Sequence, residues 1–152
     1  MEIPLEIKPL MGFSTLLFGA SMIDAEKAFG KTEEIQLIDN IEEFQTIVWH
    51  YWGSGFTLFF CQKNNQLFNC VEIDNFEAQL WGQKIFDLKE KQIIEFFKSK
   101  GIMQYEMEQH DWGEKRLSFD EVNIDFYFEK NKLISLNYCK PNLNSNLLIL
   151  PN

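Results

Sequence analysis

Apolar and polar positions alternate most plainly between Val48 and Phe60, a stretch reading VWHYWGSGFTLFF. β-Branched and aromatic residues on either side of Gly53-Ser54-Gly55 predict a β-hairpin with arms over Thr46–Trp52 and Phe56–Cys61. Successive strand residues point to opposite faces, so Trp49 and Tyr51 are expected on one side and His50 and Trp52 on the other. Only one of these faces can line a core. Large rings on the second face point to contact with a partner.

The rest of the chain supplies helices and further strands. Ser21 as N-cap with Asp24 three residues on, apolar Met22, Ala25, Ala28 and Phe29, and Gly30 as a stop predict a short helix. Asp87, with Glu90 in the reciprocal capping position, predicts a second helix that carries Leu88, Ile93, Ile94, Phe96 and Phe97 and ends before Gly101. Strands are expected over Glu33–Asn40, Leu67–Ile73, Ile102–Glu108, Lys115–Phe119, Val122–Glu129 and Leu133–Tyr138. Pro4 and Pro9 mark the start of residues 1–18 as an extended lead-in, and the run Phe13–Phe18 that follows reads as a short strand or a buried approach to the helix; polar Ile41–Gln45 and Gln62–Gln66 read as turns and residues 74–84 as a join. The Asn- and Leu-rich tail, Pro141–Asn152, is expected to dock loosely or fray.

A period then emerges. Adding 68 carries Phe18 to Phe86, Phe29 to Phe97, Ile35 to Met103, Tyr51 to Phe119, Phe56 to Ile124, Leu58 to Phe126 and Phe60 to Phe128. Past a turn two residues longer in the first half, Leu67 falls on Leu133. The expectation is a single α+β domain, residues 1–152, made of two similar halves at about 12–73 and 80–140. Each half gives one helix and antiparallel strands, forming one twisted sheet of about six to eight strands with both helices on one face.

Ser21–Gly30, Trp49–Tyr51, Gly55–Phe60 and Leu67–Ile73, with Asp87–Phe97, Leu117–Phe119, Ile124–Phe128 and Leu133–Tyr138, form a tandem that resembles the β-lactamase-inhibitor-protein architecture. It is also similar to the related single-repeat outer-membrane assembly lipoproteins. That resemblance implies a curved sheet whose concave face clasps another protein with aromatic side chains. Those relatives are exported. The N-terminal MEIPLEIKPLMGF shows no export signal, which gives the chain the style of a bacterial immunity protein paired with a toxin.

Composition narrows the partner. The 152 residues carry a formal charge of −9, which works against nucleic-acid phosphates and favours a basic protein surface, such as a basic toxin domain. No apolar run reaches membrane-spanning length, and Cys61, Cys70 and Cys139 match no zinc spacing, so they read as reduced structural thiols of a cytoplasmic protein. His50 and His110 lie in no nucleophile motif; Asp120, Glu121 and Asp125 lack the spacing of a calcium loop; Gly53-Ser54-Gly55 leads into a strand and so is no phosphate loop. No catalytic, cofactor or metal residues are assigned.

The residues expected to meet a partner are those alternation turns away from the helices: His50, Trp52, Phe59, Arg116, Asp125 and Tyr127, with Thr57 and Ser118 beside them. The function expected is non-enzymatic: an immunity or inhibitor protein that occludes its partner. The alternatives are a small-ligand-binding protein or enzyme of unrecognised type, or a structural homodimer using the same aromatic face.

Overall fold

The computed structural model describes residues 5–39, 45–61 and 66–141. The turns expected over 41–45 and 62–66, and the tail from 141, lie almost wholly outside them. The chain opens with three short strands, β1 (Glu6–Lys8), β2 (Gly12–Phe13) and β3 (Leu16–Leu17), then helix α1 (Met22–Phe29). A four-strand meander follows: β4 (Glu34–Asp39), β5 (Gln45–Tyr51), β6 (Phe56–Cys61) and β7 (Leu67–Ile73). A second hairpin, β8 (Gln79–Leu80) and β9 (Gln83–Lys84), leads to helix α2 (Glu90–Ser99) and a second meander, β10 (Glu106–Gln109), β11 (Glu114–Phe119), β12 (Ile124–Glu129) and β13 (Lys132–Cys139).

The two meanders form one antiparallel sheet of eight strands in the order β10-β11-β12-β13-β7-β6-β5-β4. Their last strands meet at its centre, Val71 opposite Tyr138 and Glu72 opposite Asn137. The fold is α+β, and a second sheet of five short strands, β3-β2-β1-β8-β9, accompanies the first. The run Phe13–Phe18, expected as a short strand or a buried approach to α1, holds Phe13 of β2 and all of β3; β1, β8 and β9 are too short to carry a readable periodicity.

Local chemistry explains the helix ends. Ser21 Oγ accepts from the Asp24 N–H at 3.1 Å, Asp24 Oδ2 accepts from the Ser21 N–H at 3.4 Å, and the Gly30 N–H closes the last turn on the Glu26 carbonyl. The second helix starts two residues later than the Asp87 cap expected for it. Ile85–Asp87 is a 3₁₀ turn that buries Ile85 and Phe86, and Lys89 is the cap, its N–H donating to Gln92 Oε1 at 2.9 Å.

Corresponding features recur 68 residues apart. Trp52–Ser54 and Asp120–Val122 are 3₁₀ turns, each followed by a left-handed residue, Gly55 and Asn123. A β-bulge falls between Phe59 and Phe60 and again between Tyr127 and Phe128. Two correspondences shift. The second edge strand lies four residues further on, so Ile35, opposite Trp49, matches Met107, opposite Leu117, in place of Met103. After the bulge, Phe68, opposite Phe60, matches Leu133, opposite Phe128.

Both helices pack on one face of the large sheet. Phe29 of α1 meets Tyr51 and Phe56 at 6.1 and 5.1 Å, and Phe97 of α2 meets Phe119 and Phe126 at 4.0 and 5.6 Å between ring centroids. Phe56, Leu58, Phe60, Ile124, Phe126 and Phe128 are buried in this core, joined by Tyr51, Leu117 and Phe119, with Trp49 packed at its margin. The small sheet adds Ile7, Phe13, Leu16 and Leu80. Fully buried Tyr138 donates to the Gly12 carbonyl at 2.8 Å and accepts from the Lys8 N–H at 3.3 Å, tying the two sheets together. A side chain at Gly12 would collide with the Leu16 carbonyl, so this tight hairpin needs glycine.

The reading of the cysteines as three reduced thiols is corrected. Because β7 pairs with β13, Cys70 lies directly opposite Cys139, and the two are joined in a disulfide; Cys61 is free and buried. Cysteines 69 residues apart gain a partner only through strand pairing, which spacing along the chain does not reveal. Denatured without reductant, the chain should titrate with one thiol, and with three after reduction. Phe97→Ala should lower the unfolding free energy by about 3–5 kcal/mol, whereas Ile23→Ala, on the exposed side of α1, should change it by less than about 0.5 kcal/mol; denaturant melts check both.

Candidate functional site

The face of the large sheet turned away from the helices carries a continuous row of polar residues. In register across all eight strands stand Glu34, His50, Thr57, Glu72, Asn137, Asp125, Ser118 and Glu106. At the usual strand spacing the row is about 34 Å long. Four of its members are carboxylates and none is Lys or Arg. Asp74, at the end of β7, and Asp120 and Glu121, in the second 3₁₀ turn, add negative charge along one side.

At one end the side chains are locked together. Buried His50 contacts Gln36 Oε1 through Nε2 at 2.9 Å and Thr57 Oγ1 through Nδ1 at 3.1 Å. Gln36 Oε1 can only accept, so Nε2 carries the proton and Nδ1 accepts from the Thr57 hydroxyl. Burial holds the His50 pKa below its ordinary 6.5, against the opposing pull of Glu34, and the ring is neutral at pH 7. The Trp52 indole stacks on it at 4.1 Å and 9°, and donates through Nε1 to Glu34 Oε1 at 3.1 Å. Gly55, at φ 72°, closes the turn below; a Cβ there would come within 2.7 Å of Asn75 Cβ.

A cleft of about 200 Å³ opens beside this stack, bounded by His50, Trp52, Thr57, Glu72 and Asp74. A second depression of about 380 Å³ lies at the other end of the row, against Tyr105, Glu106, Ser118, Asp120 and Glu121. Between them, burial and neighbouring Asp74 raise the Glu72 pKa. Burial also raises that of Tyr127, with Asp125 adding to the effect, and the Tyr127 hydroxyl accepts from Asn137 Nδ2 at 3.1 Å. Arg116 is held on this face by Glu108 at 2.6 Å. Among the described residues no ion pair engages Glu72, Asp74 or Asp125.

Of the residues expected to meet a partner, His50, Arg116, Asp125 and Tyr127 project from this face by register, though His50 and Asp125 are largely buried. Trp52 stands in the 3₁₀ turn beyond the strand arm in which alternation had placed it, and is 59% exposed. Phe59 is on the same face but only 1% exposed, packed with Ile38, Val48, Cys70 and Cys139, and offers no surface. His110 lies in the turn after β10, stacked on exposed Trp112 at 4.3 Å and far along the strand from the row. The carboxylate at the centre, Glu72, and its neighbour Asn137 went unassigned. Their signal is a lone polar residue inside an apolar run, Val71-Glu72-Ile73 and Leu136-Asn137-Tyr138.

Among the described residues no three His, Cys, Asp or Glu side chains converge as metal ligands, and no helix is long and apolar enough to cross a membrane. Compared with family models, with curated proteins and with solved structures, the chain matches none.

Glu72 binds its proton more tightly folded than unfolded, so its charge lowers stability at neutral pH; the loss is absent below the unfolded value of 4.5 and grows as pH rises through the folded one. Glu72→Gln should therefore raise Tm at pH 7, with the gain vanishing below about pH 4.5. Thermal melts of both proteins from pH 3 to 8 test this.

Proposed function

We propose that this chain is a protein-binding module that holds a basic segment of a partner across the polar row and acts by occluding it, as an inhibitor or immunity protein does. The observation that carries the reading is the row itself. Acidic side chains span the sheet with no cation among them, and one of them, Glu72, is kept at the centre against a cost in stability. A half-buried carboxylate whose pKa is raised by burial and a like charge, at the edge of a cleft, is a candidate functional position. Trp52, exposed and oriented by two contacts, supplies the aromatic anchor such interfaces favour.

The acidic field would steer a basic partner to this face and discriminate against acidic ones. The Cys70–Cys139 bond supports action in a compartment where thiols oxidise, in preference to the cytosol expected when all three cysteines were read as reduced.

The partner sought first is the product of the adjacent open reading frame, the arrangement an immunity role entails. Trp52→Ala, and separately Asp120→Lys combined with Glu121→Lys, should each weaken its capture by about 2 kcal/mol or more while leaving Tm nearly unchanged, because all three side chains are exposed. Calorimetric titration reads the first quantity and thermal melts the second. Unchanged affinity in both variants would remove this face as the interface.

A further inference from the structure

We infer that the outer edge of β10 is a strand-docking site, which takes an extended segment of the partner with alternating basic and apolar residues as a ninth, antiparallel strand. The inference rests on the protein-binding reading and carries it from the open face to the border where the polar row ends, at Glu106. β10 is the last strand of the large sheet and pairs only with β11. The His110 N–H donates to the Glu114 carbonyl at 2.8 Å, and hydrogen-bonded and open pairs alternate along antiparallel strands. By this alternation Glu108 and Glu106 spend their main-chain groups on Arg116 and Ser118. The N–H and C=O of Met107 and Gln109 therefore point out of the sheet, and among the described residues no hydrogen bond engages them.

Edges closed to pairing carry charge, proline, a bulge or a cover. β10 has no proline, all four of its residues are exposed, and its register with β11 runs unbroken from Glu106 to Gln109. Charge is its one guard, and charge is selective. On the side toward the helices, Met107 and, just before the strand, Tyr105 stay 38% and 46% exposed, with the Tyr105 ring 6.1 Å from that of Phe119. On the open face stand Glu106 and Glu108. Arg116 neutralises Glu108, whereas Glu106 has no ion pair among the described residues and shares its depression with Asp120 and Glu121.

The occupant follows from these two sides. In an added strand, residues beside Glu106 meet carboxylates and are suited by Lys or Arg; those beside Met107 and Tyr105 are suited by apolar side chains. A second copy fits badly: with Met107 opposite Gln109 of the copy, Glu108 faces Glu108, and with Met107 opposite Met107, Glu106 faces Glu108. At the far edge, β4, the open-face side chains are already spent, Glu34 on Trp52, Gln36 on His50, and Ile38 in a buried cluster.

The probe is a seven-residue peptide of alternating valine and lysine, acetylated and amidated, titrated into the whole chain while the amide signals are followed by NMR. Those of Met107 and Gln109 should shift saturably, with a Kd of about 0.1–1 mM, and exchange with solvent at least about fivefold more slowly in the complex; the Trp52 indole should not move. N-methylation of the valines, which in antiparallel pairing removes the donors opposite Met107 and Gln109, should abolish binding. Glutamate in place of the peptide's lysines should weaken it at least about tenfold, and Glu106→Lys, at an exposed position, should weaken the lysine peptide at least about threefold with Tm nearly unchanged. Binding that survives valine methylation, equal affinity for the glutamate peptide, or an unaltered titration in Glu106→Lys would each overturn the assignment. So would a dimer in which the Met107 and Gln109 amides are protected without peptide, since a second copy would then hold the edge. Intact partner capture alongside such a result would overturn the edge site alone, whereas peptide binding at β10 without partner capture would overturn the protein-binding reading and leave the edge site standing.

Discussion

The structure hangs on one strand pairing, β7 against β13. These are the last strands of the two meanders, and their antiparallel contact from Cys70–Ile73 to Leu136–Cys139 turns two four-stranded sheets into one of eight. Because strand faces alternate, this register also decides what each side of the sheet becomes. It sets Val71, Ile73, Leu136 and Tyr138 toward the helices, and Glu72 and Asn137 toward the other side. A one-residue slip of β7 would turn the Glu72 carboxylate toward the helices, and one of β13 would turn Tyr138 outward. Three unlike interactions hold the register: the Cys70–Cys139 bond, the apolar packing of four side chains, and the reach of Tyr138 to Gly12 in the small sheet.

The two halves solve the same packing problem with different chemistry. Where Lys115 pairs with Glu90 at 2.9 Å to link β11 to α2, the corresponding first-half positions are Ile47 and Met22, both partly buried against the core. Where Gly55 takes the left-handed conformation after the first 3₁₀ turn, Asn123 takes it after the second and donates through Nδ2 to the Lys140 carbonyl at 3.0 Å. The polar row diverges more. His50 and Trp52 at one end stand where Ser118 and Asp120 stand at the other. The core faces of the two halves share one character, while the open face has two different ends.

Much of the architecture was legible in the chain. Phe56-Leu58-Phe60 and Ile124-Phe126-Phe128 are strict alternations in strongly apolar strands, and they give the core face directly. The Ser21 cap was readable because its partner Asp24 is three residues away. What failed to show depended on distant neighbours. Trp52 left its strand because the chain turns at Tyr51 into a 3₁₀ turn that composition does not announce. Phe59 is hidden because Cys70 and Cys139 meet beside it. Glu72 lies opposite Asn137 through a pairing between strands 65 residues apart, which leaves no mark in local periodicity.

β13 is also the strand that joins the second meander to the first. Without residues 132–139, β7 would be an open border of the sheet, Cys70 would have no partner and Glu72 would lack its amide neighbour. Completion of the sheet and closure of the disulfide thus depend on one and the same strand pairing. A chain cut before residue 132 would lack Asn137 and the central pairing, and so could not present the polar row across all eight strands.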